Sequence, residues 1–112
     1  MGWQNILKRV GIARRDINMV NYIMRDGNFR TPEVIIEEIY KEIAHNKKLG
    51  KTKTAKLQRE TGRPMATRFG IGRRVLRQFL TKSPLYESRD TGNKTENTPK
   101  KPIIEFRYIG VQ

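Results

Sequence analysis

Apolar residues recur every three or four positions in the first part of the chain, which is the spacing of an amphipathic helix. This pattern predicts a short helix over residues 3–10 and a second helix over residues 17–24. Asp16 is the expected N-cap of the second helix, and the turn residues Asp26-Gly27-Asn28 should end it. We expect residues 1–30 to form an N-terminal helical extension that packs on or near a separate core.

A longer helix is predicted where the start signals are strongest. Thr31-Pro32-Glu33 supplies a capping threonine, a proline at the first helical position and an acid in the first turn. Apolar residues continue at helical spacing, and we expect the helix to end near Asn46, before the basic sequence KKLGK. A shorter helix should then run from a cap at Thr54 to Gly62.

The sequence ATRFGIGRRVLRQFL, residues 66–80, combines a helical pattern with repeated arginine. At about 100° per residue, one side of this predicted helix gathers Phe69, Gly72, Val75, Leu76, Phe79 and Leu80. The other side gathers Thr67, Gly70, Arg73, Arg74, Arg77 and Gln78. Arg68 falls among the apolar set, close to the helix start. Arg73, Arg74 and Arg77, here called the arginine stripe, should therefore face away from the core.

After Ser83-Pro84 the apolar spacing changes from helical to alternating. The segments LYESR, residues 85–89, and IIEFRYIG, residues 103–110, are short and rich in aromatic and β-branched residues, as strands are. The polar segment 90–102 between them is full of turn-forming residues. The pattern predicts a β-hairpin with a long, exposed tip.

Composition describes a small globular chain. Its 112 residues are 36% hydrophobic and 31% charged, which suits one domain. No apolar run approaches the roughly 20 residues that span a bilayer, and the opening MGWQNILKRV has too short an apolar stretch for a secretory signal. Cysteine is absent, which excludes disulfides and thiolate metal sites. We therefore expect a cytoplasmic protein without a membrane partner.

Positive charge is concentrated in one part of the sequence. Residues 1–46 and 83–112 each carry a net charge of +1, whereas residues 47–82 carry twelve lysines and arginines against Glu60 alone, a net charge of +11. A folded chain with this charge density favours a polyanionic partner, with nucleic acid ahead of a membrane.

Three helices followed by a hairpin, with the arginine stripe on the third helix, resemble the winged helix-turn-helix DNA-binding domain family. The similarity covers roughly residues 31–110: Leu57 lies five residues before Gly62, the arginine helix follows, and Leu85-Tyr86 open the hairpin. It implies an α+β, mainly α fold, with a three-helix core and a C-terminal β-hairpin wing over residues 31–112. The link RPMATRFGIG is longer than a tight helix-turn-helix connection, so either the turn is extended or the third helix starts later.

In that family the third helix enters the major groove of duplex DNA, and the wing contacts the backbone or the minor groove. The resemblance implies that the arginine stripe lies along the groove, because arginine binds guanine edges or phosphate through two hydrogen bonds. Lysines and Arg59 would flank the groove on phosphates, and the hairpin lysines would contact the neighbouring backbone. The DNA-binding residues implied are Lys51, Lys53, Lys56, Arg59, Thr67, Arg68, Arg73, Arg74, Arg77, Gln78, Lys94, Lys100 and Lys101.

Catalytic chemistry has little support in the sequence. His45 is the only histidine, and it lies where a histidine is favoured at a helix C-terminus. The GIG sequence at residues 70–72 lacks the lysine and the preceding strand of a phosphate-binding loop. The carboxylates Glu33, Glu37, Glu38 and Glu42 fit the solvated back of a helix better than a metal site. We expect no enzyme activity, no metal and no cofactor.

Several alternatives remain open. Within DNA binding, the chain is either a transcriptional regulator or a DNA-coating, architectural protein, nucleoid-associated in the cytoplasm or in a virion if its source is viral. It could instead be an RNA-associated structural protein, such as a ribosomal component, or a winged-helix module that docks a protein. The N-terminal helices are either a homodimer contact or a lid on the core, and Trp3 either packs on the domain or docks a partner.

Overall fold

The structure is a computed structural model that describes residues 12–94 and 102–110, apart from the side chains of Asn93, Lys94 and Pro102. The described residues form α1 (Arg14–Ile23), α2 (Pro32–Thr61), α3 (Arg73–Lys82), β1 (Tyr86–Lys94) and β2 (Pro102–Tyr108). The strands pair as a two-stranded antiparallel hairpin. The predicted α+β, mainly α class is therefore confirmed at that level. The helix predicted over residues 3–10 lies outside the described residues.

One hydrophobic core joins all of these elements. Its fully buried members come from the helices and from the second strand: Met19, Val20, Met24, Ile35, Ile39, Leu76, Phe79, Leu80 and Phe106. Side chains of α1 are among the most deeply buried. Because α1, α2, α3 and the hairpin share this core, their positions relative to one another are fixed, and so are the surfaces that they expose.

The helix α1 begins earlier than the sequence predicts. Its N-cap is Ala13, so the predicted N-cap Asp16 lies inside the first turn and is 2% exposed. The backbone N–H of Gly70 approaches the Asp16 carboxylate at 3.4 Å. Asp16 therefore faces a residue far along the chain instead of capping its own helix. The predicted stop at the turn around Gly27 is confirmed.

The helix α2 begins as predicted and then continues past the predicted end. The Thr31 hydroxyl accepts a hydrogen bond from the Val34 N–H at 3.3 Å, and Pro32 is the first helical residue. The predicted end at Asn46 is wrong, because the chain stays helical to a kink at Gly50, where φ is 78° and ψ is 170°. Helix then resumes as far as a left-handed Gly62, the predicted end of the shorter helix.

Thr54 is not a helix cap. It is buried inside the second half of α2, and its hydroxyl donates a hydrogen bond to the carbonyl of the kink residue Gly50 at 2.6 Å. A hydroxyl in the interior of a helix commonly bonds the carbonyl four residues earlier. The two helices that the sequence predicts over residues 31–62 are thus the two halves of one kinked helix.

Residues 62–72 are not helical, and α3 starts at Arg73 with Gly72 as its N-cap. The predicted helical start in residues 66–70 is wrong, and of the two alternatives for the long link, the later start of the third helix is the one observed. The Asn46 amide holds the link against α2, because its Nδ2 donates to the carbonyls of Pro64 at 3.1 Å and Ala66 at 2.8 Å. In a helix the Ala66 carbonyl would accept the Gly70 N–H, whereas here it accepts from Asn46 and the Gly70 N–H faces the Asp16 carboxylate.

The hairpin follows α3 directly and is confirmed in position and direction. Tyr86 pairs with Tyr108, and the alternation in β2 places Phe106 in the core. Arg30, just before α2, exchanges two backbone hydrogen bonds of 2.8 Å with Phe106 and so adds a bridge along β2. β1 starts one residue later than predicted and continues to Lys94, whereas β2 starts one residue earlier, at Pro102, and ends two residues earlier, at Tyr108. Residues 95–101 lie outside the described part of the chain.

Candidate nucleic-acid interface

The two faces of α3 differ completely in chemistry. Leu76, Phe79 and Leu80 are buried, and the Phe79 ring meets Tyr86 edge-on, with 5.9 Å between the ring centroids. Residues of the opposite face are all exposed: Arg73, Arg74, Arg77 and Gln78. The division predicted from the sequence holds for these residues. The arginine stripe contributes nothing to the core and projects three guanidinium groups into solvent.

The three arginines of the stripe are not equivalent. Arg73 pairs with Glu33 at the start of α2, with 3.3 Å between Nη1 and Oε1, and the two side chains are 67% and 55% exposed. Within the described part of the chain, Arg74 and Arg77 form no ion pair. Exposed ion pairs are weak, typically below about 1 kcal/mol. A phosphate can therefore displace Glu33 from Arg73 and meet Arg74 and Arg77 directly.

The second half of α2 carries a further set of exposed cations. The side chains of Lys51, Lys53, Lys56 and Arg59 are all exposed, whereas Thr54 is buried and Leu57 is half-buried. This half of the helix therefore turns its polar side to solvent as well. The kink at Gly50 sets its direction, because both halves cannot share one straight axis through a non-helical residue.

Thr67 and Arg68 do not lie on the third helix, where the sequence predicts them. Both are exposed on the non-helical link, outside the face formed by the arginine stripe. They line a cleft of about 640 Å³ together with Arg15 and Asn18 of α1. The predicted site residues whose side chains are described are thus divided between α3, the second half of α2 and this cleft.

Buried polar contacts fix the link that carries Thr67 and Arg68. Besides the Asn46 amide, Glu42 of α2 pairs with Arg63, with 2.9 Å between Oε2 and Nη2. Asp16 approaches the Gly70 N–H from the other side. The sequence pattern does not predict these anchors, since it places Glu42 on the solvated back of a helix and Asn46 at a helix end. A local pattern cannot show contacts between residues so far apart in the chain.

The hairpin surface is balanced in charge near its base. Arg89 pairs with Glu105 at 2.9 Å and Arg107 with Glu87 at 2.8 Å, each pair across the two strands. The Arg89 guanidinium also lies over the Phe29 ring, 3.8 Å from its centroid. These arginines are therefore engaged within the molecule. The lysines that the sequence places at the tip fall outside this description: the side chain of Lys94, and the whole of Lys100 and Lys101.

The acidic and histidine residues of α2 do not gather into a site. His45 is exposed in the interior of α2 and not at its end, so the helix-terminus interpretation of this residue is wrong. Across residues 12–94 and 102–110, no cluster of three or more His, Cys, Asp or Glu side chains is placed to hold a metal ion. None of the helices in these ranges is both long and apolar enough to cross a membrane.

The site residues predicted from the sequence also do not include the polar face of α1. Arg15, Asn18, Asn21 and Tyr22 lie on one side of this helix and line the cleft opposite the link. Their spacing of three or four residues was available in the sequence as a signal. No protein-family model, curated protein or solved structure matches the chain.

Proposed function

We propose that the chain is a non-enzymatic duplex DNA-binding protein of the winged-helix type, with α3 as its recognition helix. The observation that carries this proposal is the separation on α3 of a buried apolar side from an exposed side that holds the arginine stripe and Gln78. The charge supports it, since α3 ends a 36-residue segment of net charge +11. Such a field costs self-repulsion unless a polyanion offsets it.

The exposed side of α3 has the chemistry that the major groove requires. The groove is about 12 Å wide and accepts one helix, and arginine meets guanine O6 and N7 through two hydrogen bonds. Arg74 and Arg77 are the leading candidates for base or phosphate contacts, with Gln78 beside them. The lysines of the second half of α2, with Arg59, would position the protein on phosphates.

The order of the elements supports the winged-helix interpretation. Three helices share a core, although one of them is α1, from the segment expected to be an extension, because α2 and α3 are the two helices described within residues 31–112. The hairpin follows the third helix after only Ser83, Pro84 and Leu85. Tyr86 at the start of β1 packs on Phe79 of α3, so the hairpin is held in a fixed relation to the recognition helix. In this proposal the hairpin is the wing, and the lysines at its tip contact the DNA backbone.

Charge-matched variants test the proposal. Arg74→Gln/Arg77→Gln removes two exposed charges from α3, and Arg14→Gln/Lys41→Gln removes two exposed charges from outside residues 47–82. The α3 variant should bind a duplex at least tenfold more weakly, because each good two-bond contact contributes about 1–3 kcal/mol. The control should lose less than threefold. Equal losses in both variants would show that only total charge matters and that α3 is not the interface.

Competition identifies the nucleic acid. A 20-base-pair duplex should displace a labelled duplex at a lower concentration than a hairpin RNA of the same length does. Tighter binding of the RNA would replace this proposal with an RNA-associated structural role. Competition is needed because phosphate contacts alone give affinity without distinguishing the two polymers.

A further inference from the structure

The cleft between α1 and the link is a built surface that the duplex-binding proposal does not use. It encloses about 640 Å³, and its walls are the polar side of α1, the link residues 64–68 and Gln58 near the end of α2. This volume is within the range of about 300–1,000 Å³ for small-ligand sites. The link is held in place by the Asn46 amide and the Arg63–Glu42 pair, so the wall it forms is fixed.

The cleft is positively charged. Arg15 and Arg68 are the cations of its lining, which includes no carboxylate from residues 12–94 or 102–110. Asp16 follows Arg15 in the chain, with 3.4 Å between the Asp16 Oδ1 and the Arg15 Nε, but its side chain is only 3% exposed. The buried carboxylate orients Arg15 without covering it. An anion that enters the cleft therefore meets two guanidinium groups.

Carboxamides make the cleft suitable for the edge of a heterocyclic base. Asn18, Asn21 and Gln58 line it, and each carries both a donor and an acceptor. Asn21 is oriented, because its Oδ1 accepts a hydrogen bond from the Tyr86 hydroxyl. Burial, with a contribution from Tyr108, raises the pKa of Tyr86 far above its usual value and keeps this hydroxyl a donor. The Asn21 amino group is then the part left for a ligand.

An exposed apolar side chain gives the cleft a contact for the face of an aromatic ring. Met65 lies on the link at the cleft with 45% of its surface exposed, between Pro64 and Ala66, which also line the cleft. A flexible thioether packs well against the face of an aromatic ring. The cleft therefore offers what an unstacked nucleotide requires. Arginine can bind its phosphate, carboxamides can bind the edge of its base, and an apolar side chain can pack on the face of the ring. In a duplex the ring faces are stacked and closed to such contacts.

We propose that this cleft binds unpaired nucleotides of a single-stranded nucleic acid, as a second site separate from α3. Arg15 and Arg68 hold the phosphates, Asn18 and Asn21 meet the base edge, and Met65 packs on the base. The site lies beyond the proposed duplex function, because it shares no residue with the arginine stripe. In this proposal Arg68 and Thr67 contact a single strand instead of the major groove of a duplex.

Uncharged substitutions provide the sharpest test, since the loss of any cation weakens binding to every nucleic acid. Met65→Ala and Asn18→Ala change exposed side chains of the cleft without altering charge. Val34→Ala, an exposed apolar residue on α2, and Gln78→Ala on α3 are the matched controls. Fluorescence anisotropy of labelled oligothymidylate and of a labelled duplex measures both affinities for each protein, and thermal unfolding verifies that each variant is folded.

Each cleft variant should bind the oligothymidylate about fivefold more weakly, because Met65→Ala loses a thioether–ring contact and Asn18→Ala a base-edge hydrogen bond, each worth about 1 kcal/mol. The same variants should bind the duplex within twofold of the wild type, and Val34→Ala should leave both affinities unchanged. Gln78→Ala should weaken the duplex alone. A matched oligouridylate distinguishes DNA from RNA, since the preferred strand is the one whose affinity falls further in the cleft variants.

Three results would overturn the second site. The folded wild type could fail to bind either oligonucleotide, the cleft variants could bind both as the wild type does, or their duplex affinity could fall by the same factor as the single-strand affinity. These outcomes are distinguishable from failure of the duplex proposal, in which Arg74→Gln/Arg77→Gln would lose no more duplex affinity than its charge-matched control while the cleft variants still lost single-strand affinity.

Discussion

Arg77 and Phe79 lie two positions apart on α3 and have opposite environments. Arg77 is exposed, whereas Phe79 is 1% exposed and packs on Tyr86. Arg77→Ala should therefore change the free energy of unfolding by no more than about 0.5 kcal/mol. Phe79→Ala should lower it by about 3–5 kcal/mol through the cavity it leaves. Denaturant unfolding without DNA measures both values, and a large loss in Arg77→Ala would show that the stripe is structural.

Asp26 and Arg30 form a two-bond ion pair that makes stability depend on pH. The Arg30 guanidinium donates to both Asp26 oxygens, at 2.8 and 2.7 Å, and holds the pKa of this carboxyl well below its usual range. Because the folded state has the lower pKa, the stabilisation is present above the unfolded pKa of about 3.9 and is lost as the pH falls below it.

Asp26→Asn isolates this charge. An asparagine oxygen can still accept the Asn28 N–H that Asp26 accepts at 3.0 Å, so the turn keeps its hydrogen bond. The melting temperature of Asp26→Asn should be below that of the wild type at pH 7, and the gap should shrink steadily from pH 4 to pH 2. Glu87→Gln, in an exposed cross-strand pair, serves as the control and should show a smaller gap at pH 7. A gap for Asp26→Asn that is constant with pH would contradict this explanation.

At the scale of an element, the kink in α2 is the feature that most affects the charged surface. Gly50 has φ 78° and ψ 170°, a region of backbone conformation that is nearly confined to glycine. A Cβ at this position would meet no atom within 4 Å, so any penalty is backbone strain and not a clash. Gly50→Ala should lower the free energy of unfolding by about 1–3 kcal/mol.

Gly72 provides the matched control for the kink. It also has open space around its Cβ position, but its φ of −90° is available to any residue. Gly72→Ser adds a favourable N-cap to α3 and should be neutral or stabilising. Denaturant unfolding of both variants makes the comparison. If Gly50→Ala is as stable as the wild type, the helix can straighten without cost, and the kink does not set the direction of the lysines.

Local signals in the sequence predicted an element well where residues next to each other in the chain determine it. The start of α2 at Thr31 and Pro32, its end at Gly62 and the alternation in β2 all depend on neighbouring residues. For the late start of α3, local signals gave only one of two alternatives for the long link. That start depends on the bond from Asn46 to the carbonyl of Ala66, 20 residues away in the chain. The buried position of Asp16 likewise depends on Gly70, 54 residues away.

In the candidate site, too, features set by neighbouring residues could be predicted, whereas features set by distant contacts could not. Exposure of the stripe followed from helical periodicity alone, because Arg73, Arg74 and Arg77 lie within the regular part of α3. The cleft could not be predicted, since α1, the link and the end of α2 meet only in the folded chain. Arg68 illustrates the difference, because its charge was evident from the sequence but its surroundings were not.

At the scale of the whole molecule, the net charge of +13 is not spread evenly. The hairpin base matches arginine with glutamate, and Glu42 offsets Arg63 in a half-buried pair. The unmatched cations lie mainly on α3 and on the second half of α2, among the described residues. Binding of a duplex should therefore involve this part of the surface and should weaken strongly as salt rises, since each neutralised phosphate releases counterions.

The salt dependence of duplex affinity tests this central claim most directly. If about six phosphates are neutralised, the slope of log affinity against log salt concentration should be near −5, from roughly −0.9 per phosphate. The variant Arg74→Gln/Arg77→Gln should reduce the slope to about −3.5, because two contacts are lost. A wild-type slope shallower than about −2, or an unchanged slope in the variant, would contradict the assignment of α3 as the DNA-binding surface.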